Sequence, residues 1–151
     1  MKKIIVFSDI HLNSADEPSL KKSSQKLEKA ILHLQGNHND FDTLVFTGDL
    51  ADSGKIEEYS ALRNLVSVIN RPIKFMLGNH DNRKNFLDVF PYYQPDHNGF
   101  LQSSEAYENL DFIFLDTLKD PHDDIPKSCG YLCKKRLDWL SQKLKEADHK
   151  K

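Results

Sequence analysis

Three short segments of this chain hold residue types that bind metals or move protons, and each follows an apolar run of strand length. They are Asp9-Ile10-His11 after Lys3–Phe7, Gly48-Asp49 after Thr43–Thr47, and Gly78-Asn79-His80-Asp81 after Ile73–Leu77. Aspartate and asparagine oxygens together with imidazole nitrogens suit Mn²⁺, iron or Zn²⁺, and no convergent cysteine cluster points to a thiolate site. A single Asp-x-His would read as a turn aspartate beside a surface histidine. Three such strand ends in succession read as one site. The glycines before Asp49 and Asn79 let the backbone turn sharply or approach a ligand.

The elements that must position these residues follow from the apolar pattern. Strands that are apolar on both faces suit a parallel sheet covered by helices, and in open α/β sheets ligands sit at the carboxyl ends of the strands. Between the first two strands, residues 13–22 read as a loop. A helix follows, capped by Ser23 or Ser24, with Leu27, Ala30, Ile31 and Leu34 on one face and its end at Gly36-Asn37. A second amphipathic helix spans Ile56–Ile69 with Tyr59, Leu62, Val66 and Ile69 inward. Asn82 caps a short third helix carrying Phe86, Leu87 and Phe90, which Pro91 stops. Residues 92–104 give weak signals. Asp111–Leu115 reads as a fourth strand ending at Asp116, residues 119–130 as a long loop, and Lys134–Glu146 as a helix with Leu137, Leu140 and Leu144 inward. The order βαβαβα followed by strand, loop and helix predicts an α/β layered domain with right-handed crossovers.

Composition narrows the classes further. With 151 residues, one domain is expected, and 38% hydrophobic with 29% charged residues is ordinary for a globular chain. A formal net charge of −2 gives no basic face for a nucleic-acid backbone. No apolar stretch approaches membrane-spanning length, and the run after Met1-Lys2-Lys3 is too short for a secretory signal. Two cysteines, Cys129 and Cys133, are too few for a disulfide framework, so cytoplasmic residence is expected. His33, His38, His97, His122 and His149 stand outside the three segments and read as solvated. Trp139 reads as core.

The pattern D-x-H, then G-D, then G-N-H-D on successive strand ends resembles the calcineurin-like metallophosphoesterases. Within that family Thr47–Asp52, Gly78–Arg83, Leu115-Asp116-Thr117 and Arg136–Leu140 are similar to the class III cyclic nucleotide phosphodiesterase branch. The resemblance implies a layered α/β/β/α sandwich, represented here mainly by its N-terminal βαβαβα half with an incomplete second sheet. It implies two divalent metal ions (Mn²⁺, Fe²⁺/Fe³⁺ or Zn²⁺), with Asp9 and His11 on the first, Asp49 bridging both and Asn79 on the second. His80 would face the leaving oxygen as general acid, Asp81 would orient its ring, and Arg83 would contact a phosphate oxygen. The implied activity is hydrolysis of small phosphodiesters, including 3′,5′-cyclic nucleotides, by metal-activated water. A nuclease or nucleotide pyrophosphatase of the same superfamily, or a catalytically impaired remnant, fits the same motifs. The family's later metal-binding histidine and its Gly-His-x-His turn have no counterpart before Lys151, so a domain truncated at its C-terminus is expected. An uncovered fourth strand and self-association should follow.

Overall fold

The computed structural model describes residues 2–13, 21–107 and 110–148. Residues 14–20 of the loop expected over 13–22, and His149, lie outside them, and residues 21–22 are already helical. β1 (Ile4–Phe7), β2 (Thr43–Phe46) and β3 (Ile73–Phe75) form a parallel sheet in the order β1-β2-β3. Every residue of the central strand β2 is buried, as expected where both faces are covered. The register places Phe7, Phe46 and Phe75 on one rung across all three strands. Their rings touch in sequence, with centroids 5.5 Å apart for Phe7 and Phe46 and 5.0 Å for Phe46 and Phe75. This rung is the last before the chain leaves the sheet, so each chemistry-bearing segment departs from the same level.

The helices α1 (Lys21–Asn37), α2 (Ile56–Val66) and α3 (Arg83–Val89) pack one against the next and cover the sheet with Leu27, Ile31, Leu34, Tyr59, Leu62, Val66 and Phe86. Helix α1 is already formed at Lys21, so Ser23 and Ser24 lie inside it and do not cap it. Helix α2 stops at Val66, three residues short of the expected end, and Ile69 packs on the core from the turn beyond. Its first turn is closed by Glu58, buried, whose carboxylate accepts from the amides of Ser53 and Lys55. The Asn82 cap of α3 is as expected, its side chain accepting from the Asn85 amide at 3.0 Å.

A second sheet is an antiparallel hairpin of β4 (Ser103–Tyr107) and β5 (Leu110–Phe114). β4 reads Ser-Ser-Glu-Ala-Tyr and carries no apolar run, so nothing in the pattern announced it. β5 stands one residue earlier than expected. The helix α4 (Lys134–Asp148) packs on β5 and the strand is covered only in part: Phe114 is buried, Phe112 and Ile113 are half-buried, and Leu110 is exposed. The inward face of α4 is not the leucine face. Leu137 and Leu144 are 49% and 54% exposed, while Arg136 and Trp139 are buried. One residue of rotation separates the two faces, and the polar contacts of Arg136 decide between them. Its guanidinium donates from Nη1 to the carbonyls of Asp116 and Leu118 and lies 4.4 Å from the Phe100 ring centroid.

Candidate metal centre

Past the rung of phenylalanines the first two chains keep pairing as they turn. Asp9 donates its amide to the Gly48 carbonyl, His11 to that of Asp49 and Leu12 to that of Leu50, while Asp52 donates back to Leu12. This pairing is possible because Asp9, His11 and Asp49 take positive φ angles of 54°, 41° and 47°. Such angles are uncommon outside glycine and cost of order 1–3 kcal/mol each unless the surroundings enforce them. They aim the three side chains at one point: ligand atoms of Asp9, His11 and Asp49 all lie within 4.8 Å of one another. His11 Nε2 is 3.7 Å from Asp49 Oδ2.

The third turn meets this pair from the other side. A methyl group at Gly78 would lie 2.3 Å from Asp49 Oδ1 and 2.5 Å from the Asp49 amide nitrogen, so only glycine lets β3's exit approach so closely. Asp49 Oδ1 accepts from the His80 amide at 3.0 Å. The Asp49 carboxylate therefore reaches one turn with each oxygen. Asn79 stands between Gly78 and His80 on this turn and is half-buried.

His80 is held differently from the expectation. Its Nδ1 lies 2.7 Å from the backbone carbonyl of Asp52, a contact that requires a proton on Nδ1 and leaves Nε2 for other partners. Asp81 does not orient that ring. Its carboxylate is buried and accepts from the amides of Leu50, Ala51 and Gly78 and from the Tyr59 hydroxyl, at 2.9–3.2 Å. It staples the second turn to the third. Burial pushes its acidity toward higher pH, and the amide and phenol donors pull it back. Burial likewise raises the Tyr59 phenol far above its ordinary value, so that it remains a donor; its oxygen in turn accepts from the Asn82 amide at 2.7 Å.

Arg83 is also employed elsewhere. Nε and Nη2 make a two-pronged contact with the buried Asp116 at 2.7 and 3.0 Å, Nη1 reaches Asp120 at 2.6 Å, and Nη2 also donates to the Leu118 carbonyl. Burial alone would lower its pKa, but the two carboxylates outweigh it and raise it. These contacts employ four of its five N–H donors in a structural role, and the expected contact with a phosphate oxygen would have to use the one that remains.

Asp52 is the residue that spacing left in a loop. Besides its carbonyl on His80, its Oδ1 is 3.3 Å from His11 Nδ1, and His11, Asp52 and His80 form a second group whose ligand atoms lie within 4.8 Å. The rings of His11 and His80 meet edge to face at 4.6 Å. The repeat of aspartate three residues after Asp49 was the available signal. Among the described residues, His33, His38, His97 and His122 are exposed and belong to neither group.

The donor set fits a divalent cation. His11 Nδ1 is buried and makes no aligned hydrogen bond, despite Asp52 Oδ1 at 3.3 Å. Two carboxylates, Asp9 and Asp49, crowd the same imidazole, a grouping whose charge and strained backbone a cation would compensate. Asp9 and His11 also line a cavity of about 560 Å³ that extends to Lys22, Ser23 and Lys26 of α1, which leaves the group approachable from solvent.

Comparison with known proteins identifies the family. The chain is 31% identical over 96% of its length to a probable cyclic nucleotide phosphodiesterase of Rhodopseudomonas palustris, of which it covers 52%. It is 30% identical over 98% of its length to a probable glycerophosphodiester phosphodiesterase of Arcobacter nitrofigilis, covering 54% of it. It is 29% identical over 93% of its length to a cAMP/cGMP dual specificity phosphodiesterase of Mycobacterium tuberculosis, covering 44% of it. The chain thus spans about half the length of the curated relatives it matches. The family model of calcineurin-like phosphoesterases matches residues 2–150, and this chain therefore belongs to the calcineurin-like phosphoesterase family.

Proposed function

We propose that the chain carries a metal-dependent phosphodiesterase domain that hydrolyses small phosphodiesters, 3′,5′-cyclic nucleotides among them. The observation that carries this reading is the convergence of Asp9, His11 and Asp49, each in a left-handed backbone conformation at the end of a parallel strand. Asp9, His11 and Asp49 would hold one cation, and Asp49 with Asn79 a second. Bound there, divalent ions acidify a water and neutralise charge on a phosphoryl group. The chain's own groups do the rest. With Nδ1 donating to the Asp52 carbonyl, the His80 ring is fixed in orientation, and its imidazolium form, protonated at Nε2 as well, would give that second proton to a departing alkoxide and return to the neutral Nδ1–H tautomer. Asp81 and Tyr59 keep the second and third turns in register, so that Asp49 and His80 stay in contact. Names of relatives containing both cyclic nucleotide and glycerophosphodiester substrates support phosphodiesters as the class.

The test is Mn²⁺ titration calorimetry on the chain and on Asp49→Ala, with hydrolysis of bis(p-nitrophenyl) phosphate followed in parallel. Loss of a partner outside the ligand set costs about 10–100-fold in metal affinity, so loss of Asp49 should cost at least that and abolish turnover. Equal Mn²⁺ affinity in the two proteins would overturn the assignment.

A further inference from the structure

A second cavity, of about 430 Å³, opens between the third turn and the loop that follows β5. Asn79 and Asn82 line one wall, and Leu118, Lys119 and Pro121 the other. Asn79 is adjacent to Gly78, whose backbone abuts Asp49, so the cavity opens beside the candidate metal centre. Its volume falls in the range of small-molecule sites, which join an apolar lining to a few convergent polar groups.

The charged groups at and bordering the cavity balance. Arg83 and Arg136 stand with Asp116 and Asp120, and Lys84 with Asp88. Lys119 and Lys127 are set against Asp81 and Asp123. All keep their charges when hydrogen-bonded, so a charged guest would give up its water for no net attraction. What the walls offer instead is hydrogen-bond donors held in place. Lys119 donates from Nζ to the carbonyls of Asp123 and Ile125 at 2.8 and 2.7 Å, which fixes its ammonium and leaves one of its three N–H groups unspent. Asn82 is fixed by its capping role: Oδ1 accepts from the Asn85 amide at 3.0 Å, and Nδ2 has no partner among the described residues. Between these donors Leu118 and Pro121 form an apolar floor.

We propose that this cavity receives the uncharged nucleoside body of the phosphodiester substrate. The flat base lies on Leu118 and Pro121, and its ring carbonyls or nitrogens accept from Lys119 Nζ and Asn82 Nδ2. A guest of this class brings apolar faces and acceptors without a charge, and so complements a floor and donors that are otherwise unmatched. A choline or ethanolamine arm would set a cation among N–H donors, and glycerol has no face for the apolar floor. The inference rests on the phosphodiesterase reading only in placing the reacting phosphate at Asp9, His11, Asp49 and Asn79. Within that reading it favours nucleotide esters, cyclic ones included, over glycerophosphodiesters.

The experiment has a binding arm and a turnover arm. In chelator, thymidine and choline are titrated into the chain and followed by amide NMR. With Mn²⁺, kcat/KM is compared for thymidine 5′-(p-nitrophenyl phosphate) and p-nitrophenyl phosphorylcholine, which share a leaving group and differ in the other arm. Two hydrogen bonds and the apolar contact predict a preference of about ten-fold or more for the nucleoside in both arms. Shifts should concentrate at Asn79, Asn82, Leu118 and Lys119. Asn82→Ser keeps a capping oxygen but removes the free donor, so it should fold normally and lose about five-fold on thymidine only. Lys127 is exposed and makes no ion pair among the described residues, and K127E should move the preference about three-fold toward choline. Equal affinity for thymidine and choline, shifts remote from these residues, or a preference unmoved in both variants would overturn the proposal. If thymidine binds as expected while neither ester turns over with Mn²⁺, the metal reading fails and the cavity assignment stands. If both esters turn over equally and depend on Asp49 while thymidine leaves the cavity unshifted, the reverse holds.

Discussion

Asp49 is the residue on which the three turns meet, and what makes room for it is the absence of a side chain at position 78. Because the atoms a Gly78→Ala methyl would strike include the Asp49 backbone amide at 2.5 Å, rotation of a side chain cannot relieve the clash. We expect Gly78→Ala to lower stability by about 1–3 kcal/mol, as overpacking does, and to weaken Mn²⁺ binding along with it. Thermal unfolding and Mn²⁺ titration of the one variant check both, and a variant that melts and binds like the parent would show that β3's exit can retreat. At this scale the sequence was informative about which residues gather and silent about how they are held. Asp9, His11 and Asp49 announced themselves because a carboxylate or imidazole at the end of an apolar run is conspicuous. The fixing of His80 by a backbone carbonyl, and the diversion of Asp81 to amides of a turn 30 residues away, depend on where lone pairs point once the turns are packed. Spacing along a chain does not carry that information.

Elements follow the same division. The parallel strands and the Asn82 cap were legible because each is a local pattern, whereas α4 shows where periodicity stops being sufficient. Leucines at 137, 140 and 144 make a plausible stripe, yet the stripe one position round carries Arg136 and Trp139, and the carbonyls of Asp116 and Leu118 with the Phe100 ring draw that one inward. Trp139→Ala should therefore cost about 3–5 kcal/mol, and Leu137→Ala no more than about 0.5 kcal/mol, as read by urea denaturation. The opposite order would restore the leucine face. The hairpin supplies a pH-dependent element. Glu105 on β4 pairs with Lys74 on β3 and accepts from Tyr107. Burial raises its pKa, but Lys74 and the Tyr107 hydroxyl outweigh that and hold it below the ordinary glutamate value. A depressed folded-state value means that the stabilisation is present above the unfolded pKa and lost as pH falls through the folded one. Glu105→Gln should therefore lower stability by about 0.5–1 kcal/mol near neutrality and close that gap below the ordinary glutamate pKa. Melting temperatures of both proteins between pH 7 and pH 3 would show whether the curves converge.

Across the whole molecule, the parallel sheet with its helices and the hairpin with α4 share one core, to which Leu101 and Leu118 contribute from the hairpin side. The most concentrated polar connection between the two parts is Arg83 on Asp116, a carboxylate with no solvent exposure that also accepts from the amides of Leu101 and Leu118. Removing one partner of a buried pair leaves an uncompensated charge at a cost of about 3–5 kcal/mol. Arg83→Met should show that loss in chemical denaturation, and replacing Asp116 by Asn in the same chain should recover part of it. A loss confined to activity, with stability untouched, would return Arg83 to a substrate role. This connection was hidden in the sequence because its members lie 33 residues apart and each, taken singly, reads as a surface charge.

The sheet order β1-β2-β3 repeats the order of synthesis, and every candidate ligand lies before residue 82. At roughly 5–20 residues per second, translation needs several seconds more to deliver β4, β5 and α4. The strand ends that gather Asp9, His11, Asp49 and Asn79 thus leave the ribosome ahead of Asp116 and Asp120, and during that interval the nascent chain already carries these donors while Arg83 still lacks the acids that clasp it.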